Sequence, residues 1–88
     1  MMTLVFRISH HAKDAAVTCG GTPVNVRQVA SGLVGSIEVP PGRHTYRIDA
    51  HGPPGAKWSA SVTSASIVQR HLGVFGDDGG ATTGEVVF

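Results

Sequence analysis

Chemistry in this 88-residue sequence would have to come from five histidines, two adjacent carboxylates, one cysteine and a few aromatic rings. Imidazole titrates near neutral pH and ligates metals, so the histidines come first. His10 and His11 are neighbours; in an extended segment they point to opposite faces and can share an ion only from a loop. His44 and His51 bracket one alternating stretch, roughly 23 Å apart in a strand, too far to hold the same ion. No paired carboxylates complete a ligand set, so solvated loop histidines are the expectation and no metal ligand is assigned.

The segment "GDDGGATTGE" offers Asp77, Asp78 and several carbonyls to a hard cation such as calcium. It lacks the alternating acidic spacing and closing bidentate glutamate of an EF-hand loop, although Glu85 is near, and its Gly, Asp and Thr content is that of a turn. Cys19 precedes Gly20 and Gly21 with no positioned base in view, which is the setting of a small buried hydrophobe rather than a nucleophile. A lone cysteine also excludes an internal disulfide and a multi-cysteine zinc site. "GLVGS" and "GGTP" lack the lysine and the following helix of a phosphate loop. The chain is therefore expected not to be an enzyme, with no catalytic residue and no cofactor.

Tyr46, Trp58 and Phe75 carry rings able to stack on a sugar or a base. Tyr46 and Trp58 fall on the apolar side of alternating segments and read as core. Phe75 sits in "LGVFGDDGG", without a strand pattern, and is either an exposed contact or a plug beneath a loop. The candidate ligand-binding set is Trp58, Phe75, Asp77, Asp78 and His51.

The elements that must position these residues are strands. Leu4, Phe6 and Ile8 alternate with Arg7 and Ser9 in "TLVFRIS"; "VNVRQV", "LVGSIEV", "TYRIDA" and "KWSASVT" repeat the period of two. "AVTC", "SIVQRHL" and "GEVVF" are further strands, the second of them in competition with a short helix. Twelve glycines and five prolines, set in turn-like clusters, leave no stretch for a helix of usual length. About seven short strands without helices predict one all-β domain over residues 1–88, a small antiparallel β-sandwich, with a small β-barrel as the alternative.

Pro-Pro-Gly occurs twice, at Pro40-Pro41-Gly42 and Pro53-Pro54-Gly55. Read as turns, the two copies punctuate a three-stranded meander from Leu33 to Val62. The first hairpin would pair Val39 with Tyr46 and Ile37 with Ile48 on one face, and Glu38 with Arg47 on the other. The second keeps its faces in either of two registers, one of which pairs Ala50 with Trp58 and Ile48 with Ala60. The stretch "VPPGRHTYRIDAHG" resembles the turn and strand of fibronectin type III and other immunoglobulin-like sandwiches, with the tyrosine one position later after the glycine. The resemblance implies an immunoglobulin-like sandwich and carries no site with it.

Composition narrows the function. A hydrophobic fraction of 41% and a charged fraction of 15% belong to a folding chain. A net charge of +1, with seven Lys and Arg scattered from Arg7 to Arg70, lacks the field expected of a nucleic-acid or membrane partner, so neither is expected. No signal-peptide pattern or apolar run of membrane-spanning length is visible, which favours a soluble, cytoplasmic chain. The uncharged Ser59, Ser61, Thr63, Ser64, Ser66 face and the terminal "EVVF" read as sheet edges open to another chain. The leading expectation is thus a non-catalytic binding module for protein–protein interaction or assembly, including a subunit of a homo-oligomeric or virion-like structure. A carbohydrate-binding, lectin-like module is the alternative, and a small metal-dependent or hydrolytic enzyme ranks third.

Overall fold

The computed structural model describes residues 1–65 and 67–88. Nine strands form: β1 (Met2–Ser9), β2 (Asp14–Cys19), β3 (Thr22–Val24), β4 (Val26–Val29), β5 (Gly32–Val39), β6 (Arg43–His51), β7 (Lys57–Thr63), β8 (Val68–Val74) and β9 (Gly80–Val87). They make two antiparallel sheets, a five-stranded one ordered β4-β5-β1-β7-β8 and a four-stranded one ordered β3-β2-β6-β9. The all-β sandwich expected from the periodicity is therefore present. The sheets are open, with β4, β8, β3 and β9 at their edges, so the barrel alternative falls.

Alternation places the core as expected. Leu4, Phe6 and Ile8 of β1 face Val17, Cys19, Tyr46, Ile48 and Ala50 of the other sheet across one apolar layer, joined by Trp58, Ala60 and Val62 of β7. Phe6 and Tyr46 meet edge to face at 5.6 Å between centroids, a favoured aromatic geometry.

The meander is corrected. β5 pairs with β1 and β4, and β6 with β2 and β9, so both Pro-Pro-Gly segments carry the chain from one sheet to the other and turn no hairpin. A period of two states which side chains face the core; it does not state which strand lies alongside. Val39 and Tyr46 both point inward, but from opposite layers. Glu38 and Arg47 consequently lie on opposite outer faces, and Arg47 pairs instead with Asp49 through two hydrogen bonds of 2.8 and 2.9 Å. Proline serves these crossings because its missing N–H is not needed where ladder pairing stops.

"VNVRQV" is not one strand either. It breaks at Asn25, where the chain passes from β3 in one sheet to β4 in the other. Gly35 of β5 leaves room for the passage, since a β-carbon there would stand 2.6 Å from the Asn25 carbonyl oxygen. The Ser/Thr-rich strand β7 lies between β1 and β8 and is no edge. Ser66, part of that face and of the strand expected from Ser66 to Leu72, is outside the described residues. The C-terminal segment does form an edge strand, β9, with its own sheet on one side only.

Candidate functional site

The five residues singled out in the sequence gather at one end of the sandwich, but the rings of Trp58 and Phe75 do not face solvent. Trp58 and Phe75 are 4% and 2% exposed and stack at 5.7 Å with an interplanar angle of 15°. Phe75 is the plug of the two options: its backbone N–H donates to the Ala56 carbonyl and its carbonyl accepts from Gly55 N–H, so the second Pro-Pro-Gly loop is tied over it. Trp58 and Phe75 are withdrawn from the lectin-like set, because neither ring offers a face to a sugar. Asp77 and Asp78 form the exposed tip of the β8–β9 connection, closed by reciprocal backbone hydrogen bonds between Gly76 and Gly79. His51 lies beside that connection and pairs with Asp14 at 2.9 Å. His10 and His11 lie ring beside ring at a tilt of 39°, 4.0 Å between centroids, in the exposed turn after β1. Among the described residues no three His, Cys, Asp or Glu side chains converge as a metal site would require.

A second polar group closes the seam between edge strands β8 and β9. Thr82 Oγ1 lies 3.0 Å from His71 Nδ1, His71 Nε2 lies 2.5 Å from the Tyr46 hydroxyl, that hydroxyl donates to Gln69 Oε1 at 2.6 Å, and Gln69 Nε2 donates to the Glu85 carbonyl at 2.7 Å. One assignment of protons satisfies every member: the threonine hydroxyl donates to Nδ1 and Nε2–H donates to the phenol oxygen. The chain of bonds joins the two sheets, and in this assignment every side-chain acceptor in it is used.

Burial pushes the Tyr46 phenol above its ordinary value of 10.0 and the Cys19 thiol above 9.0. Both groups then hold their protons more tightly when folded than when unfolded, so stability is full at lower pH and is lost as pH rises past those values. The expected result is a urea midpoint that is flat with respect to these two groups below pH 9 and falls above it, with Cys19→Ala delaying the onset. A midpoint unchanged to pH 11 would refute this.

The structure adds a surface that the sequence did not single out. Cross-strand register aligns Arg27 of β4, Val34 of β5, Arg7 of β1, Ser61 of β7 and Arg70 of β8 in one row across the outer face of the five-stranded sheet. With strands about 4.8 Å apart, the three arginines recur about every 9.6 Å. Among the described residues none of the three has a carboxylate within 4.0 Å, whereas Arg43 and Arg47 on the other sheet pair with Glu85 and Asp49. The row lies in an open groove of about 780 Å³ lined also by Ser9, Ser59, Thr63 and His71. Val29, Val68 and Leu72 flank its two ends, and Leu72 is 86% exposed. Arg7 and Arg27 sit on the polar side of their alternating segments, a signal present in the sequence; Arg70 shares its face with Val68 and Leu72, and the alignment of all three depends on strand order, which the sequence does not show.

No protein-family model, curated protein or solved structure matches this chain.

Proposed function

We propose that the chain is a non-catalytic binding module that acts in protein–protein interaction, with the outer face of the five-stranded sheet as its contact surface. The observation that carries this reading is the groove itself, where bare apolar side chains and unpaired guanidiniums share one rigid sheet face. Exposed apolar residues beside a polar rim are the composition of protein contact surfaces, and arginine is enriched in them. Rigid strands also present such a surface at little entropic cost on binding. The partner is a surface other than this same face on a second copy, since an isologous contact would bring two sets of arginines together.

Selection of displayed 16-residue peptides against the chain tests the proposal, with counter-screening on Ser61→Trp, which fills the middle of the row, and on Leu72→Asp. Binders lost on both variants support it. Binders indifferent to both would remove the groove as the contact surface. Molar mass by light scattering over a hundredfold concentration range, run alongside, is expected to give a monomer; a persistent dimer abolished by Leu72→Asp would overturn the exclusion of a self-contact.

A further inference from the structure

We infer that the groove recognises an acidic protein segment in which apolar residues are interspersed with carboxylates. This deepens the proposal above and rests on it.

Charge is segregated between the two sheets. The five-stranded sheet carries Arg7, Arg27, Arg70 and Lys57 against the single carboxylate Glu38. Glu38 stands four residues along β5 from Val34, about 13 Å from the row at ~3.3 Å per residue. The remaining acids lie on the four-stranded sheet or at the β8–β9 tip, and there the two arginines are paired. Intramolecular neutralisation was therefore available to this chain and is used on one face only. An unpaired guanidinium presents a planar fork of donors that matches a carboxylate or phosphate. Three of them in line, with the Ser61 hydroxyl between Arg7 and Arg70, form a linear array for an anionic chain rather than a pocket for one ion.

The rest of the groove selects among anionic chains. Among the described residues no aromatic ring faces the groove, since the His71 imidazole is turned inward to Tyr46 and Thr82, so nucleic-acid bases find no stacking platform. A net charge of +1 supplies no long-range attraction for a nucleic acid. At both ends the row runs into exposed valine and leucine: Val29 beside Arg27, and Val68 and Leu72, two residues either side of Arg70. A phosphate or sulfate polymer has nothing to bury those side chains. A protein segment carrying both carboxylates and apolar side chains covers the whole surface.

The test measures binding by fluorescence anisotropy of a 15-residue peptide bearing Glu at every third position with Leu and Ser between, of its Gln counterpart, and of a single-stranded oligothymidylate. The acidic peptide is expected to bind, and to weaken by about 3- to 10-fold for each of Arg7→Gln, Arg27→Gln and Arg70→Gln, in keeping with charge-assisted bonds at a partly solvated site. Arg43→Gln and Arg47→Gln, on the other sheet, should leave affinity unchanged. Ser61→Glu, which sets a competing carboxylate between Arg7 and Arg70, should weaken binding as much as the loss of one arginine. Blue-shifted Trp58 emission confirms that each variant is folded. Equal affinity for the Gln peptide, lost on Ser61→Trp, would overturn the acidic preference and leave the contact surface standing. Tighter binding of the oligothymidylate, dependent on the three arginines, would replace the protein segment with a nucleic acid. Failure of both peptides to bind would overturn this inference, while the displayed-peptide selection decides the contact surface independently.

Discussion

Trp58→Ala is expected to cost about 3 to 5 kcal/mol of unfolding free energy, the range for deleting a large buried ring. A domain of this size holds roughly 4 to 13 kcal/mol in total, so the variant stands near the folding threshold. The indole is packed on three sides: Phe75 stacks on it at 5.7 Å, and β-carbons added to Gly73 and Gly80 would lie 2.7 and 2.6 Å from its Nε1. Those glycines belong to β8 and β9, the edge strands of the two sheets, so the ring bridges the layers where no backbone pairing joins them. The same geometry predicts a strong coupling between two positions. Gly80→Ala should destabilise the native chain by about 1 to 3 kcal/mol through overpacking, yet be close to neutral in the Trp58→Ala background, where the space is empty. A double-mutant cycle by urea denaturation reads this coupling directly. Additive losses would show that the indole does not hold the position described.

Side-chain direction is legible in the core strands and inverted in β8, where Val68, Leu72 and Val74 face out while Gln69 and His71 turn inward to Tyr46; strand neighbourhood is not legible. Leu4, Phe6, Ile8, Tyr46, Ile48, Trp58 and Val62 all face the core as their alternation requires, because a pleated strand leaves a side chain only two faces. The Glu38–Arg47 pairing failed for a related reason. Two segments facing one core from opposite layers have the same apolar pattern as two strands of a hairpin, and a fortuitous charge match on the outer positions strengthens the wrong choice. Phe75 was ambiguous because what buries it, the Gly55–Ala56 backbone, comes from a segment 20 residues away in sequence. The arginine row shows the same division. Arg7 and Arg27 read as solvent-facing and Arg70 does not; five strands had to be placed in order before the three formed one surface. A net charge of +1 is a sum over the chain and does not reveal the separation of charge between its two faces.

Gly32→Ala is expected to be the most damaging change that removes no atom from the core, at roughly 2 to 4 kcal/mol, combining backbone strain with collision. Gly32 opens β5 opposite Ser9, the last residue of β1. Its φ of 139° lies where an L-residue is strained, and an added β-carbon would strike the Ile8 carbonyl oxygen and stand 2.8 Å from Ser9 C and 2.9 Å from His10 N. All three are backbone atoms, so no rotamer change relieves the contact. The β1–β5 ladder must part at this end, and with it the segment of β1 that carries Arg7. Gly42→Ala provides the comparison: its φ is 130°, but nothing lies within 4 Å of its β-carbon, so it bears strain alone. Urea denaturation should therefore place Gly32→Ala well below Gly42→Ala. Amide exchange in the Gly32 variant should accelerate first at Ser9 and Leu33, before the centre of the sheet. Equal losses at the two glycines would assign the whole effect to φ and refute the close approach of β5 to the turn after β1.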